Sequence, residues 1–85
     1  MKLSQGGISG TVTDVRVVMK KAIESLASGI IVCHNHPSGN LNPSEADTRI
    51  TRKIKEAGEL LDIQLLDHLI ISENDYYSFA DNGAL

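Results

Sequence analysis

The sequence has no tryptophan, one phenylalanine, two tyrosines, a single cysteine and no long apolar run. Cys33 alone cannot close an internal disulfide, so nothing requires an oxidising compartment. The opening residues, MKLSQGGISG, lack the apolar centre of a secretory leader. Runs such as Leu69-Ile70-Ile71 fall far short of the roughly 20 residues that span a bilayer. A cytoplasmic protein is the expectation. Cations are also scarce: 8 Lys and Arg stand against 11 Asp and Glu, a net charge of −3. That balance argues against non-specific DNA binding, which needs cations to displace counterions from phosphate. Eighty-five residues, 41% hydrophobic and 22% charged, suit one soluble domain over residues 1–85. A core that small is marginal, so a metal or an oligomer partner would add useful stability.

What is present is concentrated in residues 30–47, IIVCHNHPSGNLNPSEAD. Ile30, Ile31, Val32 and Cys33 form a continuous apolar run, as in an inner strand of an α/β sheet. The Asn-, Pro- and Gly-rich loop that follows holds His34 and His36, and Pro37 biases His36 towards extended geometry. A helix then begins, with Asn42 as cap, Pro43 at the first position and Glu45 completing a capping box. Ala46, Ile50, Ile54, Ala57 and Leu61 make its apolar stripe. Ser44, Asp47 and Thr51 share a flank beside that stripe at about 100° per residue.

The remainder reads as scaffold. Gly6, Gly7 and Gly10 among Ile8, Thr11, Val12 and Thr13 predict an irregular strand and turn. Asp14 caps a helix whose apolar positions are Val15, Val18, Met19, Ala22, Ile23 and Leu26, ended by Ser28 and a left-handed Gly29. Residues 63–71 read as a strand, or two with a bend. A turn at Ser72 to Asp75 leads to a short strand over residues 76–79. The expected order is β-α-β-α-β-β, an α/β domain with a small mixed sheet and flanking helices.

His34 and His36 are two residues apart, which in extended chain puts both imidazoles on one side. For an isolated pair, ordinary loop hydrogen bonds suffice. Asp47, on a helix flank 11 residues later, alters that reading. Two histidines and one carboxylate leave a tetrahedral position for water, as in catalytic zinc sites, although Asp47 as a plain first-turn charge fits the helix dipole too. Ser44 suits either a hydrogen bond to a developing oxyanion or simple capping. By strand alternation Cys33 points away from His34 and serves as small apolar filler. His68 reads as a structural histidine, with orientation of the site as the alternative. The letters HNH are not those of HNH nucleases, and a zinc deaminase would carry Glu where His36 stands and a later PCxxC.

HNHPSG, then PSEAD, then LLDHLII resemble the RadC family, the bacterial branch of the JAMM/MPN (JAB-like) metalloprotease-like domains. His34, His36, Pro37, Ser44 and Asp47 match its HxHP and SxxD pattern, and the likeness runs over residues 7–79. The resemblance implies a cytidine deaminase-like fold, zinc held by His34, His36, Asp47 and water, and Ser44 on the oxyanion side. It also implies an upstream glutamate as general acid/base. No acid precedes Asp14 here, as expected of a fragment lacking its first strand or of a member without that residue. The family's helix-hairpin-helix region, its expected DNA-contacting part, is likewise not in the sequence.

Two functions follow. One is a zinc-dependent metallopeptidase or isopeptidase, a zinc-bound water attacking the amide carbonyl of a peptide or protein substrate. The other is a non-catalytic module, associated with protein or with DNA (the family carries a DNA repair label), that retains a metal site. A sheet missing a strand would leave an edge for homodimerisation.

Overall fold

The computed structural model describes residues 2–3, 8–9, 14–36 and 40–85. The turns expected at Gly6, Gly7 and Gly10, and the loop at Pro37, fall outside them. The elements are β1 (Lys2–Leu3), β2 (Ile8–Ser9), α1 (Val15–Glu24), β3 (Gly29–Asn35), α2 (Glu45–Leu60), β4 (Gln64–Ile71) and β5 (Tyr76–Ser78). They form one sheet in the order β2-β1-β3-β4-β5, with β3 and β4 parallel and the other pairs antiparallel. The expected mixed sheet with flanking helices is what the chain adopts.

Both helices share one core with the sheet. Val18, Met19 and Ala22 of α1 meet Ile54 of α2, Ile30 and Val32 of β3, and Ile63 and Leu65. Ile30 and Val32 alternate with half-buried Ile31 and Cys33, so β3 turns one face fully inward rather than burying both. The apolar stripes are narrower than expected: Ile23 is half-exposed, and Leu26, Leu61 and Ala46 lie at the surface. Leu26 and Leu61 lie beyond the helix ends. α1 ends at Glu24, and the left-handed residue is Leu26, at φ 52°, not Gly29. Its N–H donates to Ile23 O and that of Ala27 to Ala22 O, which closes the last turn.

α2 ends in the same way, with Asp62 left-handed at φ 58° and the Ile63 N–H bonded to Gly58 O at 2.8 Å. Gly58 is therefore not merely a weak helix former near an end. A Cβ there would lie 2.2 Å from the Ile63 carbonyl oxygen, so only glycine lets the chain fold back this closely.

The parallel β3-α2-β4 crossover brings the end of β3 and the start of α2 to the same edge of the sheet, where α/β folds bind ligands. One irregularity matters there. Ile30 pairs with Leu65 but Ile31 with Asp67, so Leu66 is an extra residue bulged out of β4. Up to the bulge Leu65 faces the core; beyond it His68 and Ile70 do. The bulge reverses the alternation and turns His68, instead of Asp67, beneath α2. Of the two readings for residues 63–71, one strand or two with a bend, the chain forms one strand carrying this bulge.

Candidate metal centre

β3 runs on through His34 to Asn35, so His34 leaves a strand rather than a loop. It continues the inward set of Ile30 and Val32. His36 lies just past the strand, where its N–H donates to Ile71 O at 3.0 Å and extends the ladder. The two rings meet edge to face, centroids 4.4 Å apart, as the HxH spacing requires.

Asp47 is delivered by helix capping, although not by the residues expected. Ser44, not Asn42, is the N-cap, and Asp47, not Glu45, is the third helical residue of the box. Ser44 Oγ accepts from the Asp47 N–H at 3.0 Å, and Asp47 Oδ2 accepts from the Ser44 N–H at 2.8 Å. Asn42 instead donates its N–H to Asn40 Oδ1, a local turn before the helix. The box holds a carboxylate that is 6% exposed against both histidines. Oδ1 lies 3.3 Å from His34 Nδ1, and Oδ2 lies 3.4 Å from His36 Nε2.

Proton positions follow from the partners. His36 Nδ1 is 2.6 Å from Asn40 O. A carbonyl only accepts, so Nδ1 carries the proton, and in the neutral ring Nε2 turns a lone pair towards Asp47. His34 Nδ1 is buried and, beyond its approach to Asp47 Oδ1, has no hydrogen-bond partner among the described residues. Burial holds the His34 pKa below the usual histidine range, against the pull of Asp47. For Asp47, burial works to raise the pKa, but the Ser44 hydrogen bonds together with His34 and His36 bring it below the usual carboxylate value. Asp47 is thus favoured as a carboxylate, and burial favours the neutral form of His34 beside it.

Such a cluster suits a cation. His34, His36 and Asp47 each offer one ligand atom, all within 4.8 Å of one another. Zinc takes nitrogen and carboxylate ligands of these kinds, and here His34 faces one oxygen of Asp47 and His36 the other. The Asn40 carbonyl behind His36 is the support that metal-bound histidines usually have. The residues fit a metal, and nothing in their geometry specifies which one.

Ser44 is exposed at the mouth of the cluster. Capping uses an oxygen lone pair, so its hydroxyl proton can still be donated. Cys33 lies on the opposite face of β3, half-buried. Two contributions had no signal in the sequence. Asn40 sits in a loop whose path no periodicity predicts. Asp67 accepts from the N–H groups of His68 and Ala80 and from Ser78 Oγ, which ties the chain after β5 to β4.

The RadC-like JAB domain matches residues 1–84. The UPF0758 protein of Flavobacterium johnsoniae is 63% identical over 82 residues, covering 96% of this chain and 36% of that protein. UPF0758 proteins of Porphyromonas gingivalis and Chlorobium chlorochromatii are 52% and 46% identical, each over 98% of this chain and 37% of the relative. The chain thus spans little more than a third of the length of these curated relatives. The chain belongs to the RadC-like JAB domain family.

Proposed function

We propose that this chain is a zinc-dependent amide hydrolase domain, a peptidase or isopeptidase acting on a peptide or protein substrate. The observation that supports it most is the convergence of the His34, His36 and Asp47 ligand atoms, all within 4.8 Å of one another. Zinc in that position would supply Lewis-acid polarisation of a carbonyl and a water of lowered pKa. The chain's own residues have separate tasks. His34, His36 and Asp47 hold the ion, and the capping box with Ser44 keeps the Asp47 carboxylate from turning away. The Ser44 hydroxyl donates to the carbonyl oxygen as charge develops on it.

Proton transfer needs a further group. General acid/base help is worth about 10²–10⁴-fold. The alternative reading is a non-catalytic module associated with protein or DNA that keeps its metal.

Elemental analysis of chelator-stripped, zinc-reloaded protein tests the first requirement, with His36→Ala and Asp47→Ala beside wild type. The expected result is one zinc per wild-type chain and its loss from both variants. Wild type that takes up no zinc would remove the hydrolase reading. Zinc binding without cleavage of peptide or isopeptide substrates would leave the module.

A further inference from the structure

The ligand cluster leaves one nitrogen of the neighbouring His68 unexplained. His68 is fully buried. Its ring lies parallel to Phe79, centroids 4.8 Å apart at 8°, and its centroid is 5.8 Å from that of His34. Thr51 Oγ1 is 2.7 Å from the carbonyl oxygen of Asp47 and 2.5 Å from His68 Nδ1. The hydroxyl has a single proton, and only the carbonyl must be donated to, so that proton goes to Asp47 O. His68 Nδ1–H then donates to Thr51 Oγ1. Nε2 is left as a buried acceptor with no partner among the described residues.

A ring that merely filled space would be better as phenylalanine, because a buried acceptor without a donor is destabilising. Two links run from His68 to the ligands. One passes through Thr51 to the backbone of Asp47; the other is the ring contact with His34. The bulge at Leu66 is what turns His68 to this face.

We propose that His68 is a positioning residue of the metal centre. Its ring sets the orientation of the His34 imidazole, and its bond to Thr51 anchors the helical turn that presents Asp47. This rests on the metal-site reading above.

Two measurements test it. Nitrogen NMR of metal-free wild type reads the His68 tautomer directly, and the proton is expected on Nδ1. Competitive zinc titration is then run on wild type, His68→Phe, Thr51→Val and Thr51→Ser, with cobalt(II) absorption as the signature of ligand geometry. Unfolding curves without metal allow the affinities to be compared at equal folded fraction. His68→Phe and Thr51→Val should bind zinc about 10–100-fold more weakly with an altered cobalt spectrum, while Thr51→Ser stays near wild type. Packing alone predicts the reverse order for the Thr51 pair, since Val keeps the shape of Thr and Ser loses a methyl. Equal binding by His68→Phe and wild type, Val binding as tightly as Ser, or a proton on Nε2 would each overturn the inference. Wild type that binds no zinc would overturn the metal reading itself.

Discussion

The two ends of α2 are built on opposite rules. At its C-terminal end the folded-back carbonyl and amide groups pair with one another, Ile63 and Ile54 are buried in aliphatic surroundings, and Gly58 allows the closest backbone approach. At its N-terminal end a carboxylate is 6% exposed, and two buried imidazole nitrogens have no hydrogen bond among the described residues. The first arrangement serves stability. The second forgoes stability in the metal-free protein and is what a metal would compensate. Proteins depart from local consistency mainly where a site demands it.

Acid should break the contrast most strongly. Burial, first, and then the charge of nearby His34 push the His68 pKa down to about 4, while the unfolded chain titrates near 6.5. The unfolded state therefore binds the proton first as pH falls. The stability due to neutral His68 is complete above about pH 6.5 and is lost progressively towards pH 4, up to about 3 kcal/mol. His34, also lowered by burial, adds in the same direction. Urea midpoints of chelator-treated protein between pH 7.5 and 4 should fall accordingly, and less steeply in His68→Phe.

Gly58→Ala attacks the other end. The added methyl meets a backbone oxygen that cannot move without breaking the Ile63–Gly58 hydrogen bond, so a loss of about 1–3 kcal/mol is expected, read as a lower denaturation midpoint. Zinc stoichiometry at the distant site should be unchanged in the folded fraction. Leu26→Gly has the smallest effect and the opposite sign. Leu26 is 90% exposed at a positive φ, so glycine removes strain without loss of burial. A gain of up to about 1 kcal/mol should appear in the same unfolding assay.

Much of this was legible from local chemistry. The 3-and-4 spacing of Val15, Val18, Met19 and Ala22 marked α1, and Asp14 caps it as expected, its side chain accepting from the Arg16 N–H. The two-residue separation of His34 and His36 put both rings on one side, and the shared flank of Ser44, Asp47 and Thr51 survived a two-residue error in the cap. That error arose because Asn42-Pro43 is as good a local start signal as Ser44. The reciprocal hydrogen bonds of Ser44 and Asp47 distinguish the two.

By itself, then, the sequence determined the two helices and the mixed α/β class, and it singled out His34, His36 and Asp47 as one candidate group, because these depend on periodicity and short-range spacing. Only the tertiary structure decided that Leu26 and Asp62 end the helices, that Gly58 is required and that His68 turns inward beneath Thr51. Each depends on an approach between segments distant in the chain or on a bulge in a strand pair. Residues 63–71 read the same with or without that bulge, and the pairing of β4 with β3 is what places the extra residue at Leu66.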